Sequence, residues 1–227
     1  MPVDRLAFTA ADLRGAVRLG IDATLGVTDL VEAMHAAIAE RAPPVGAARS
    51  TRTSRLTGFV YRRVRGTTRV VGSALDAALG LLPDTGPRPA RSPTREAFVA
   101  ALNGVLGDRL AATGNPLAIP TTLRADPAAP GAAPRSCRRV LVLVHGLCMN
   151  DLQWRRNGHD HGERLARDAG WTVLRLHYDS GRSVAEIGGE LAARLESLAG
   201  PAGAPDEIAL VGHSMGGLVA RAAVRAG

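Results

Sequence analysis

Lysine is absent from this sequence of 227 residues, so all 28 of its basic residues are arginine. Aromatic residues are also scarce, at 3%. Together with 26 glycines and 14 prolines, these features indicate a compositional bias of the coding sequence as much as selection for a basic surface. The hydrophobic fraction of 46% is ordinary for a globular protein. The length suffices for one good-sized domain, or for a domain with an extension.

The small number of cysteines and the lack of a long apolar run argue against a disulfide-rich protein and against a membrane-spanning one. The two cysteines, Cys137 and Cys148, cannot form a disulfide framework and do not have the spacing of metal ligands. No run of about 18 apolar residues occurs, so no membrane-spanning helix is expected. Residues 1–5 lack the charged and apolar segments of a secretory signal. We therefore expect a cytoplasmic protein, with a peripheral membrane attachment left open.

The excess of positive charge lies in the N-terminal part of the chain. Residues 1–136 contain 17 arginines and 11 acids, whereas residues 137–227 contain 11 and 10. Residues 42–75 contain no acid but seven arginines: Arg49, Arg52, Arg55, Arg62, Arg63, Arg65 and Arg69. Such a segment fits an anionic membrane surface or nucleic acid, although a solvated helix face is the simpler explanation. Peripheral membrane contact through these helices is therefore one hypothesis, and no nucleic-acid partner is expected.

Residues 1–115 have the pattern of a helical region. Apolar spacings of three to five predict an amphipathic helix pair over residues 12–41, divided at Gly26 and Thr28-Asp29. A second helical stretch covers residues 56–82, with an interruption at Gly66-Thr67-Thr68. After a Pro-rich linker at residues 83–93, a third helix begins near Thr94 and ends at residues 114–116.

Residues 116–227 alternate between strands and helices. A short strand-like segment at residues 117–123 precedes a continuous run of valine and leucine at residues 139–144, which predicts a buried parallel strand. Two further strands are predicted at residues 172–177 and 207–211. Helices are predicted over residues 158–169, from the capping box at Ser183 to Leu198, and after Ser214. The fold class is therefore α/β, a parallel sheet with flanking helices that follows the N-terminal helical region. The predicted domains are residues 1–115 and 116–227.

A G-x-S-x-G motif at residues 212–216 lies between a predicted strand and a predicted helix. The motif alone is weak evidence in a glycine-rich sequence, but this position is what a nucleophile elbow requires. The serine, Ser214, must occupy a strained turn with Oγ projecting from the sheet. Gly212 and Gly216 omit side chains that would collide with the neighbouring strand and helix, and we expect Gly217 to relieve the same crowding. A plain glycine-rich turn is the alternative explanation.

A second motif, His145-Gly146-Leu147, follows the strand at residues 139–144. Beside a nucleophile elbow, an H-G-x turn supplies one backbone N–H to the oxyanion, and the residue after the nucleophile supplies another. Leu147 and Met215 are therefore the predicted donors, and His145 is expected to brace the turn.

Residues 141–150 (LVLVHGLCMN) and 209–217 (ALVGHSMGG) resemble the α/β-hydrolase superfamily, in particular bacterial lipases and esterases. GPI inositol-deacylase-like lipases share this H-G-L/M turn and G-H-S-M-G-G elbow. The likeness covers about residues 117–227. It implies that Ser214 is the nucleophile and that Leu147 and Met215 form the oxyanion hole, and it implies no metal or organic cofactor.

The resemblance also implies an acid and a histidine after the elbow, which residues 215–227 lack. We therefore expect a hydrolase truncated after its elbow and catalytically incomplete within this span. His35 lies on the N-terminal helices, and His213 adjoins the serine, so its side chain points elsewhere. His177, at the end of the middle strand, is the remaining candidate for a substitute base.

Two further groups have an ordinary and a functional explanation. His159-Asp160-His161 has the alternation of a metal chelate, but it lacks a third ligand and is better explained as the polar start of a helix. Cys148 beside the H-G-x turn is better explained as a small buried side chain than as a nucleophile.

The leading hypothesis is a serine esterase or lipase that cleaves a small-molecule or lipid ester. One alternative is a non-catalytic remnant that serves as an interaction module. The other is a basic helical protein that binds membranes or nucleic acid through the arginine-rich segment.

Overall fold

The computed structural model describes residues 9–41, 51–82, 92–125, 138–198 and 204–227. Most of the Pro-rich linker, the loop at residues 126–134 and Cys137 lie outside these ranges. The chain divides into two compact units. One unit comprises Phe8–Pro87, and the other comprises Met1–Ala7 together with Arg88–Gly227. The third predicted helix thus lies in the unit that contains the sheet, whereas the domain boundary at residues 115/116 stays a prediction.

The smaller unit is a hairpin of two long helices, α1 (Ala10–Arg41) and α2 (Thr51–Gly80). The breaks predicted at residues 26–29 and 66–68 are wrong, because both helices are continuous. Within α1 the hydroxyl of Thr28 donates to the carbonyl of Thr24, four residues earlier, so the side chain does not cap a new helix. Gly26 and Gly66 lie within these helices, and neither has the positive φ that often ends a helix at glycine.

Ion pairs near one end of α2 and at its middle link this helix to the antiparallel α1. Asp76 of α2 accepts hydrogen bonds from Arg14 and Arg18 of α1, and these guanidinium groups hold the pKa of its carboxyl well below the usual 3.8. Arg65 of α2 donates to Asp29 and Glu32. No described helix is long and apolar enough to cross a membrane.

The larger unit contains a four-stranded sheet in the order β1-β5-β2-β6. Its strands are β1 (Thr122–Ala125), β2 (Arg139–Val144), β5 (Thr172–His177) and β6 (Glu207–Gly212). The last three are parallel, as predicted, while β1 pairs antiparallel with β5. A two-stranded ribbon, β3 (Arg155–Arg156) and β4 (His159–Asp160), occupies the beginning of the helix predicted at residues 158–169.

Helices cover both faces of the sheet, which confirms the predicted α/β class. On one face, α5 (Val184–Leu198) and α6 (Met215–Ala226) pack on the even-numbered valines of β2. On the other face, Leu141 and Leu143 pack with Val173, Trp154 and Ala166, the last of these from α4 (His161–Ala169). Because β2 is buried on both faces, its sequence is an uninterrupted apolar run.

The third helix, α3 (Pro93–Ala112), begins at the N-cap Ser92, so Pro93 is its first residue and not the end of the linker. Its buried Asn103 donates to the carbonyls of Val99 and Leu117 and accepts from the N–H of Ile119. This side chain fastens the segment before β1 to the helix.

Candidate active site

The carboxyl ends of β2, β5 and β6 meet at one edge of the sheet. In the parallel register Val144 lies opposite Leu176 on one side and Gly212 on the other. The turns that follow these strands, at residues 145–149, 178–181 and 213–214, therefore emerge together. This is the edge at which ligands bind in open α/β sheets.

The turn between β6 and α6 has the geometry of a nucleophile elbow. Ser214 is exposed and lies at φ 53° and ψ −122°, a region that residues other than glycine rarely adopt. A Cβ on Gly212 would lie 2.4 Å from the nitrogen of Gly217, and a Cβ on Gly216 would lie 2.2 Å from the carbonyl oxygen of Val144. A Cβ on Gly217 would meet nothing within 4 Å, so the expectation that this glycine relieves crowding is wrong.

The H-G-x turn contacts the elbow directly. A Cβ on Gly146 would lie 3.2 Å from both the carbonyl oxygen and the Nδ1 atom of His213. The N–H of Met149 donates to the carbonyl of Gly146, which closes a β-turn with Leu147 and Cys148 at its centre. Neither Leu147 N–H nor Met215 N–H donates to another described residue, so both are available to a ligand oxygen.

His145 lies beneath this turn and is fully buried. Its ring stacks on Tyr178 at a centroid distance of 4.1 Å, and Tyr178 Oη donates to its carbonyl oxygen. Nδ1 is 3.0 Å from the carbonyl oxygen of Gly146, to which it donates. Burial lowers the pKa of the imidazole to about 4, so the ring is neutral at pH 7. These contacts connect the H-G-x turn to the residue after β5, and the bracing role of His145 stays a prediction.

None of the six histidine rings, all of which lie in the described ranges, forms a hydrogen bond with Ser214 Oγ. His177 is buried, with Nδ1 3.0 Å from Asp151 Oδ1. Within the described part of the chain, His177 makes no contact with Ser214 that would support a role as substitute base.

The side chains of the His159-Asp160-His161 segment have separate structural roles. The rings of His159 and His161 lie edge to face, 5.2 Å apart, and Nδ1 of His161 is 3.2 Å from the carbonyl oxygen of Trp154. Asp160 Oδ1 caps α4 by accepting from the N–H groups of Gly162 and Glu163. The segment is therefore the polar start of a helix.

A different cluster, not predicted from the sequence, has the geometry of a cation site. Glu96, Asp151 and His177 place one ligand atom each within 4.8 Å of one another. However, Arg124 Nη1 lies 3.1 Å from Asp151 Oδ1 and 3.9 Å from Glu96 Oε2. The guanidinium already supplies the positive charge that these carboxylates require, so the cluster is an ion-pair network and not a metal site.

Sequence reasoning also missed the residues that surround the H-G-x turn. Ser180 is buried after β5, and its Oγ accepts a hydrogen bond of 2.9 Å from the N–H of Cys148. Helix α3 lies against the H-G-x turn, because a Cβ on Gly104 would lie 2.3 Å from Cys148 Sγ. The sequence did offer one indication: Tyr178-Asp179-Ser180 directly follow a predicted buried strand, at the edge of the sheet where ligands bind.

Residues 137–227 match the family model of the PGAP1-like alpha/beta domain. These residues are similar to the α/β-hydrolase-type domain of that family. The family is lipase-like, which confirms the resemblance drawn from the two motifs. No curated protein and no solved structure matches the chain.

The matched segment begins two residues before β2 and includes the H-G-x turn, the β5 turn and the elbow. Helix α3 and strand β1 precede the matched segment but lie in the same compact unit. The candidate site is therefore framed partly by residues that the family match does not cover.

Proposed function

We propose that this chain carries the nucleophile and the oxyanion hole of a serine hydrolase that cleaves carboxylic esters. In this mechanism Ser214 Oγ attacks the ester carbonyl while a base accepts its proton. The tetrahedral intermediate then expels the alcohol, which takes up that proton, and leaves an acyl-enzyme that water hydrolyses. The N–H groups of Leu147 and Met215 would donate to the oxyanion that forms during each step.

The backbone at Ser214 carries this proposal. A non-glycine residue with positive φ costs about 1 kcal/mol or more and persists where its surroundings enforce it. At Ser214 these surroundings are the end of β6, the H-G-x turn and the start of α6, which approach closely because Gly212 and Gly216 have no side chain. The hydroxyl of Ser214 is thereby held at the exposed edge of the sheet, at the start of α6, where the helix dipole favours negative charge.

A fluorophosphonate probe tests the nucleophile. The protein expressed from the complete reading frame that contains this chain is expected to be labelled once, at Ser214. Ser214→Ala should abolish the labelling, because no other described serine has this backbone geometry. The measurement is mass spectrometry of the labelled peptide, with hydrolysis of p-nitrophenyl esters as a second readout.

Ser183→Ala is the matched control, since Ser183 is an exposed serine before α5 and should not affect labelling. Equal labelling of wild type and Ser214→Ala would refute the assignment. A folded protein that neither reacts nor hydrolyses esters would instead support the non-catalytic interaction module.

The outer face of α2 favours an additional role, attachment to an anionic membrane surface. Phe59 and Val70 are 47% and 70% exposed, and they lie among the exposed Arg62, Arg63 and Arg69. The residues that pack toward α1, including Arg65, Gly72 and Asp76, lie on another face of the helix. Apolar side chains interleaved with basic ones are typical of helices that lie in a membrane interface.

Replacement of Arg62, Arg63 and Arg69 by glutamine should weaken binding to phosphatidylcholine vesicles that contain phosphatidylserine by about 100-fold, at about 1 kcal/mol per arginine. Co-sedimentation at low and high salt measures the effect. The matched control replaces Arg156, Arg164 and Arg167, which are exposed elsewhere. Equal binding by both triple variants would contradict the attachment, and salt-sensitive binding to duplex DNA alone would favour nucleic acid instead.

A further inference from the structure

We propose that Ser180, together with the glycine face of α3, positions the Leu147 N–H for the reaction. This inference rests on the proposed esterase function and assigns a positioning role to residues outside both sequence motifs. It also makes α3 part of the active-site framework, although this helix precedes the family-matched segment.

The turn at residues 146–149 adopts an uncommon form. Of its two central residues, only Cys148 has a positive φ, at 57°. A positive φ confined to the third position is the pattern of a type II turn, which normally places glycine or asparagine there. A cysteine at this position is therefore held against its own backbone preference.

Two contacts supply the restraint. The buried Ser180 Oγ accepts the Cys148 N–H at 2.9 Å and so fixes the orientation of the Leu147–Cys148 peptide. The side chain of Cys148 is confined by α3, since its Sγ lies 3.9 Å from the carbonyl oxygen of Ala101 and close against Gly104. A Cβ on Gly104 would also lie 3.0 Å from both the Cα and the nitrogen of Cys148.

The glycines of α3 allow this approach. A Cβ on Gly107 would lie 2.0 Å from Asp179 Oδ1, and a Cβ on Gly181 would lie 2.1 Å from the carbonyl oxygen of Asn103. Helix α3 thus packs through glycine contacts on the β5 turn that carries Ser180 as well as on Cys148. A shift of α3 would therefore move both the Cys148 N–H and its acceptor, Ser180 Oγ.

Loss of the Ser180 hydrogen bond would affect catalysis through the orientation of the Leu147 N–H. Without the Ser180 acceptor, the central peptide can rotate toward the type I form, which removes the positive φ at Cys148. The Ser180 hydrogen bond also fastens the turn to the segment after β5, so its loss lets the turn, and the Leu147 N–H with it, shift relative to the elbow. A displacement of about 1 Å at a catalytic group can cost about 100-fold in rate.

Ser180→Ala, in the protein from the complete reading frame, should lower kcat for p-nitrophenyl esters by about 10-fold to 100-fold with little change in KM, because oxyanion contacts strengthen in the transition state. Adding Cys148→Gly to Ser180→Ala should restore much of kcat, because glycine favours the type II turn without the hydrogen bond. Amide hydrogen exchange should show faster exchange at Cys148 in Ser180→Ala. Ser197→Ala, an exposed serine of α5, is the matched control.

Gly104→Ala provides a second perturbation from the helix side, with the same expected fall in kcat. Gly189→Ala in α5 is its control, since a Cβ there would meet nothing within 4 Å. If Ser214 is labelled but Ser180→Ala keeps the wild-type kcat, the positioning role is refuted and the esterase proposal stands. If kcat falls only with the folded fraction, or if Cys148→Gly gives no rescue, the role is also refuted. A wild-type protein whose Ser214 does not react overturns both proposals.

Discussion

We expect Gly216→Ala to lower the free energy of unfolding by roughly 3 kcal/mol and to abolish fluorophosphonate labelling of Ser214. The added Cβ would lie 2.2 Å from the carbonyl oxygen of Val144 and 2.5 Å from that of His145. Both are backbone atoms at the end of a strand that is buried on both faces, so they cannot move aside. Helix α6 would have to shift, and the turn that holds Ser214 would shift with it.

The neighbouring glycine provides a close control. Gly217 lies one residue further along α6, where a Cβ meets nothing within 4 Å. Alanine is favoured over glycine in a helix by up to about 1 kcal/mol, so Gly217→Ala should be neutral or stabilising. Chemical denaturation measures both variants, and labelling reports the elbow. Equal losses in the two variants would show that helix propensity or solubility, and not the contact with β2, determines the result.

The motifs and strands were predictable because each follows from local sequence. A buried parallel strand is an apolar run, as in residues 139–144, and the elbow must be a short motif after such a run. The glycines of the elbow could be assigned a steric role in advance, although only Gly212 and Gly216 have one. The spacing of Gly217 in the sequence carries no information about which side of α6 faces the strand's end.

The breaks predicted in the helical region are wrong because single residues of a helix-breaking type did not end either helix. A Cβ on Gly26 or Gly66 would meet nothing within 4 Å, so no packing contact requires glycine at either position. Gly26, Gly66 and Thr28 resemble breakers in sequence, yet each is accommodated in a continuous helix. In α2 the glycine that matters is Gly72, where a Cβ would lie 2.6 Å from Cδ1 of Ile21 in α1. Isolated propensity cannot identify this contact, because it depends on a partner about fifty residues away in the chain.

The framework of the candidate site was not predictable for a similar reason. Helix α3 was assigned to the N-terminal region because its sequence carries no catalytic motif. Its contacts with Cys148 and Asp179 arise from glycines whose meaning appears only when the turns after β2 and β5 are brought together. The ion pair of Arg175 and Asp160 was missed because an arginine in an apolar strand gives no indication of its partner.

That ion pair should have the second large effect, because Asp160→Ala removes the carboxylate that balances a buried charge. Arg175 is 5% exposed in β5, and its Nη2 lies 2.8 Å from Asp160 Oδ2. Asp160 also caps α4. Loss of one member of a buried pair costs about 3–5 kcal/mol, so we expect a decrease in unfolding free energy of that size. Asp168→Ala, which removes an exposed acid paired with Arg164 in the same helix, should cost at most about 1 kcal/mol.

A double variant separates charge burial from the loss of the cap. Asp160→Ala with Arg175→Met removes both charges, and it should be more stable than Asp160→Ala alone because the Arg175 guanidinium no longer stays buried without the Asp160 carboxylate. Strictly additive destabilisation would contradict this explanation.

The pH dependence gives an independent check with a definite sign. Burial alone would raise the pKa of Asp160, but the N–H of Glu163 and the guanidinium groups of Arg175 and Arg155 outweigh it and lower the pKa below the usual 3.8. A carboxyl with a lowered pKa in the folded state contributes its stability above its unfolded pKa and loses it as the pH falls through the folded value. The difference in unfolding free energy between wild type and Asp160→Asn should therefore stay constant from pH 7 to about pH 5 and shrink below about pH 4. A difference that persists unchanged in acid would mean that the carboxylate charge is not what makes the wild type more stable than Asp160→Asn.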